Sequence, residues 1–116
     1  MGKKYQSFTF ILLSVIARSV AVQGFAADGT IRVATYNTSL YRDADGQLIR
    51  DLEGGTNEQA RRIAEVIQRV RPDILLANEF DYDASGRAAE LFIKSYLAVG
   101  QNGCQPLAFA DVFQHE

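Results

Sequence analysis

The chain has 116 residues, 47% of them hydrophobic and 22% charged, with one cysteine and one histidine. That length suits a single domain, and that balance excludes a disordered or fibrous class. Cys104 is the only cysteine, which excludes an internal disulfide and, in an exported chain, indicates a free thiol or a partner lying elsewhere.

Lys3 and Lys4 precede an apolar run from Phe8 to Ala17 that only Thr9 and Ser14 interrupt. Gly24 and Ala26 then supply the small residues of a cleavage site. This layout predicts a secretory signal peptide over residues 1–26, removed on export to a periplasm or the exterior. A spanning helix needs about 20 apolar residues. Arg18 halts this run well short, so no stable membrane insertion is expected after cleavage. Removal leaves nine basic residues (twelve less Lys3, Lys4 and Arg18) against fourteen acidic ones, a net charge of −5. A protein that grips nucleic acid through its phosphates carries the opposite sign. A general nucleic-acid-binding module is therefore disfavoured, and an anionic substrate needs a cation beside it.

Asp28-Gly29 signals a turn into TIRVATYN, Thr30 to Asn37, where β-branched residues at a period of two predict a strand. The connection that follows, Thr38 to Gly55, is long, and long connections are often functional. Asp45-Gly46 predicts a small hairpin inside it, between Leu40–Arg42 and Gln47–Arg50. Thr56 with Gln59 has capping-box spacing and opens a helix. Its buried face is Ala60, Ile63, Ala64, Ile67 and Val70, and Glu58–Arg62 and Glu65–Arg69 form ion pairs on its exposed side. Pro72 ends it.

Ile74 to Phe80 reads as a buried strand. It runs from purely apolar residues straight into Asn78 and Glu79, with Asp81 and Asp83 beyond. Ser85 is placed to cap a further helix whose inner face is Ala88, Leu91, Phe92, Ser95 and Tyr96, with Gly100 past its end. One more strand is expected near Leu107 to Phe113. Strand, connection with helix, strand is a βαβ unit with parallel strands. Ligands of such sheets bind outside the carboxyl ends of the strands, where Asn37 and Glu79 stand. One anionic and one neutral oxygen donor suit a hard divalent cation, which polarises a phosphoryl oxygen. A solvated acid at a strand end fits the same pattern. Asp81 and Asp83 read as an acidic turn before the helix; Asp81 on the face of Glu79, as a further metal carboxylate, is the alternative. Tyr41 and Arg42 are candidate substrate-phosphate contacts, with hairpin surface as the plainer reading.

The order TIRVATYN, long connection, EQARRIAEVIQRVRPDILLANEFD resembles the opening of the endonuclease/exonuclease/phosphatase family, whose members include deoxyribonuclease and bacterial sphingomyelinases. Those proteins begin with a strand ending in asparagine, then a helix, then a PDxxxLQE segment. The resemblance covers about residues 30–83. Tyr36 stands where the family has tryptophan, and Asn78 where it has glutamine. The resemblance implies a partial four-layer α/β sandwich, deoxyribonuclease-like, of which residues 29–116 form the first βαβ portion with flanking helices.

It implies a divalent-metal-dependent hydrolase of phosphate esters. Asn37 and Glu79 would be the metal-binding and catalytic residues, Mg²⁺ (or Mn²⁺ or Ca²⁺) the cofactor, and a phosphate ester the substrate, nucleic acid among the candidates. The family's later motifs, an Asp-x-Asn segment and an Asp-His pair, do not occur in these 116 residues, and His115 has no neighbours to make it a base. The expected chain is thus a front part, with metal ligands and without the general base. A small exported binding module on an α/β scaffold is the rival reading. A doubly wound nucleotide binder is weakened by the lack of a glycine in Thr38-Ser39-Leu40.

Overall fold

The computed structural model describes Thr9–Leu13 and residues 29–115; the expected cleavage site at Gly24 and Ala26 lies outside the described residues. The fold mixes helices and strands. One sheet has the order β2-β3-β1-β4, with β1 Thr9–Leu13, β2 Val33–Leu40, β3 Ile74–Phe80 and β4 Asp111–His115. The helices are α1 Gln47–Leu52, α2 Glu58–Val70 and α3 Arg87–Phe92, which runs on as one wider turn over Ile93–Leu97. Strands β2 and β3 are parallel, as the crossover between them predicts, while β1 runs antiparallel to both β3 and β4. Among the described residues no helix is long and apolar enough to cross a membrane.

Alternation along the strands divides the sheet into two unlike faces. Leu75, Ala77 and Phe80 of β3 are buried with Leu48, Leu52, Ile63, Ile67, Leu91 and Phe92 of the helices, and Ala34 and Tyr36 of β2 pack against them. On the other face Val33 is 67% exposed, and Thr35 and Asn37 are exposed with it. The hydrogen bond from Asn78 Nδ2 to Thr35 Oγ1, 3.1 Å, marks that face as shared by the two strands.

The helix layer is locked by buried polar groups as well as by apolar contact. Tyr96 is fully buried; its hydroxyl donates to Leu52 O at 3.0 Å and accepts from Asn57 N at 3.1 Å. Its ring stacks on Phe92, which meets Phe80 edge to face at 5.7 Å. Gln68 is buried too, donating to Leu97 O and Val99 O and accepting from Gln101 N. It takes the place expected for Val70, which is 42% exposed. A long amide can reach the carbonyls at the end of the α3 segment; an isopropyl group cannot satisfy them.

Three local expectations are corrected. The stretch predicted as a hairpin holds helix α1, because Leu48 and Leu52, one helical turn apart, both enter the core. Asn57 rather than Thr56 caps α2, its Oδ1 accepting from Ala60 N at 2.9 Å. The last strand begins at Asp111, while Leu107 and Phe109 bury their side chains from irregular backbone. Both expected ion pairs on α2 are present, Glu58 with Arg62 and Glu65 with Arg69.

Candidate functional site

The pairing of β2 with β3 sets Asn37 directly opposite Asn78, so Asn37 and Glu79 stand one residue out of step at the carboxyl ends of neighbouring parallel strands. Both are exposed. The ladder then breaks. Leu40 next pairs with Phe80, which leaves one more residue on β2 than on β3 and makes a bulge at Thr38-Ser39. Thr38 repairs the break: its buried hydroxyl donates to Asn78 O at 2.9 Å and Glu79 O at 3.2 Å. The strands resume contact where Asp81 N donates to Leu40 O at 3.1 Å.

Two residues at this break have left-handed backbone, Ser39 with φ 50° and Glu79 with φ 52°. For residues with a Cβ this conformation costs about 1–2 kcal/mol. At Ser39 the Asn37 side chain offsets it, since Asn37 Oδ1 accepts from both Ser39 N, 3.0 Å, and Ser39 Oγ, 3.2 Å. At Glu79 the turn aims an exposed carboxylate away from the regular alternation of β3.

Behind the strand ends runs a polar relay. Gln59 Nε2 donates to Ser39 O at 2.9 Å, and Gln59 Oε1 accepts from Arg42 Nη2 at 3.1 Å. Arg42 Nε donates to Asp51 at 2.7 Å and its Nη1 to Tyr41 O at 3.0 Å. The guanidinium thus ties the long connection to α1 and α2, and both Tyr41 and Arg42 are only half-exposed. A groove of about 460 Å³ beside the relay is lined by Asn37, Ser39, Glu58, Gln59 and Arg62, and Glu79 lies outside it.

The acidic residues after Glu79 part company. Asp83 is the cap of α3: its two oxygens accept from Arg87 N at 3.0 Å and Ala88 N at 2.9 Å, and it also receives the Ser85 hydroxyl. The cap assigned to Ser85 therefore belongs to Asp83, because a carboxylate can serve two orphan N–H groups and a hydroxyl one. Burial pushes the Asp83 carboxyl up, but the hydrogen bonds from Ser85, Ala88 and Arg87 outweigh it and hold it below the usual carboxylate range. Asp81 is 7% exposed, so it is a buried group and not part of a solvated turn.

Thr38 and Gln59 were missed in the sequence. Thr38 stands directly after Asn37, but no periodicity announces a bulge. Gln59 was read as half of a capping box, and its true partners lie about twenty residues back along the chain.

Among the described residues no three of His, Cys, Asp and Glu stand grouped around a metal position. What the strand ends offer is one carboxylate and one amide oxygen. A small hard cation accepts such a set because it retains several waters. The Asn37 oxygen would have to give up a Ser39 contact to join it. Comparison with known proteins finds no matching family model, no matching curated protein and no matching solved structure.

Proposed function

We propose that this chain is the N-terminal part of a divalent-metal-dependent phosphoester hydrolase with a deoxyribonuclease-like sandwich, exported from the cell. One observation carries the reading: Asn37 and Glu79 stand one position out of step near the carboxyl ends of adjacent parallel strands, the edge at which α/β sheets place their ligands. Glu79 supplies the anionic oxygen for Mg²⁺ and Asn37 the neutral one. The ion, when bound, neutralises charge on a phosphate ester and polarises its phosphoryl oxygen. Thr38 and Gln59 are positioning residues in this reading, since Thr38 ties β2 to the carbonyls of Asn78 and Glu79 and Gln59 holds the Ser39 carbonyl just after Asn37. Arg42, held by Asp51 and Gln59, supports the connection and reaches a substrate only by leaving them. The same engagement favours the rival reading of a non-catalytic binding module, in which this edge is merely well braced.

Mn²⁺ titration followed by amide resonances separates the two. The hydrolase reading expects paramagnetic broadening centred on Asn37, Asn78 and Glu79, reduced at least tenfold in apparent affinity by Glu79→Gln. Broadening centred elsewhere, or unchanged by that substitution, would sink it.

A further inference from the structure

Strand β1 consists of Thr9–Leu13, which lies within the apolar run expected to be the core of a cleaved leader. The same five residues fill the sheet position between β3 and β4. Rows of partnered residues cross all three strands: Ile74, Leu13 and Asp111; Leu76, Ile11 and Phe113; Asn78, Thr9 and His115. Because β1 is antiparallel to both neighbours, β3 and β4 are parallel to each other, and the five residues of β4 are in phase with Ile74 to Asn78 of β3.

We propose that β1 is a place-holding strand, and that β4 takes its position against β3 once the leader is removed. The inference rests on the export reading. Loss of β1 leaves unpaired those N–H and C=O groups of β3 between Ile74 and Asn78 that face away from β2, an edge that proteins cover. Strand β4 suits the vacancy in three respects. Partnered residues in a sheet share a face, so a sideways move of one strand spacing, roughly 4.8 Å, keeps every β4 residue on its present face. A parallel pair needs a crossover of a dozen or more residues, which Asp81 to Ala110 with α3 provides. And β4 is loosely seated where it is. A groove of about 400 Å³ lies between α3 and β4, lined by Ala89, Ile93, Lys94, Val112 and Gln114, and Phe113 is 59% exposed. The move also carries His115, the only histidine, to the position beside Asn78, next in sequence to Glu79.

Two forms of the full-length gene product test this: one exported and processed, the other retained with its leader by blocking export. Both carry Cys104→Ser, Leu76→Cys and Phe113→Cys. With β1 between them the two new thiols sit two strand spacings apart, roughly 9.6 Å, beyond the Cα separation of about 7 Å that a disulfide spans. Treatment with diamide is expected to link them at least tenfold faster in the processed chain, and mass spectrometry reads the N-terminus and the link together. A processed chain that does not link overturns the strand transfer and leaves export standing. An intact Met1 on the exported chain overturns both. Equal linking in the two forms overturns the place-holding role. In the unsubstituted protein, hydrogen exchange gives a second reading: the β3 amides between Ile74 and Asn78 that face away from β2 stay protected after processing if β4 has moved in, and exchange freely if it has not.

Discussion

The helix-facing side of the sheet and its carboxyl-end edge are made by the same two strands, and they obey opposite rules. On the helix side the buried polar groups are bonded: Tyr96 to Leu52 and Asn57, Gln68 to four backbone groups. No buried side-chain nitrogen or oxygen lacks a partner among the described residues. At the edge, Asn37 and Glu79 stand exposed, and the backbone turns left-handed at Ser39 and Glu79. The first region is organised for stability. The second holds a left-handed serine and a left-handed glutamate, Ser39 and Glu79. The contrast is physical: burial charges heavily for each unpaired polar atom, whereas an exposed strand end is paired by water and is free to present a carboxylate.

The contrast breaks most visibly at Phe92. Phe92→Ala removes a 5%-exposed ring that touches Phe80 and Tyr96, and the expected loss is about 3–5 kcal/mol in urea unfolding. A loss under about 1 kcal/mol would mean that the helix layer is not packed as described. Tyr96→Phe keeps the ring and deletes the hydroxyl, leaving Leu52 O and Asn57 N without it. About 1–3 kcal/mol should follow, and the same substitution should leave Mn²⁺ broadening at Glu79 untouched.

Asp83→Ala, at the start of α3, should cost about 1 kcal/mol as a lost helix cap. The pH dependence has a fixed sign. The folded Asp83 carboxyl is held below its ordinary value, so its contribution is complete above the unfolded value of about 3.9. It fades as pH falls through the lower folded value. Wild type should therefore lose its advantage over Asp83→Ala in acid, and a difference between them that is constant with pH would contradict the cap. The smallest effect belongs to the open face, where Val33→Ser should change stability by no more than about 0.5 kcal/mol. A larger loss would show that Val33 is covered in solution.

Much of the fold was legible in order along the chain. The β2–α2–β3 unit, its parallel pairing and the two ion pairs of α2 follow from hydrophobic period, i,i+4 charge spacing and Pro72. The first strand was read as ending on Asn37, whereas β2 runs on to Leu40 past the bulge and β3 to Phe80. What misled was local chemistry with two possible partners. Asp45-Gly46 offers a hairpin turn, yet Leu48 and Leu52 find a core to enter and the segment becomes helical. Thr56 has a hydroxyl in capping position, but Asn57 caps, which frees Gln59 to bridge Ser39 and Arg42.

By itself the sequence determined the elements that depend on near neighbours: an amphipathic helix between two apolar strands, each with a polar residue near its carboxyl end, because side-chain periodicity acts within a few positions. Only the tertiary structure decided which of those polar residues are spent on the fold. Asp83 goes to the N–H groups of α3, Arg42 to Asp51 and Gln59, and Gln68 to carbonyls about thirty positions away. The bulge at Thr38-Ser39 belongs to the same class, since it exists only where two strands meet out of step. Such choices are made by hydrogen-bond satisfaction across long sequence separations, which no local pattern encodes.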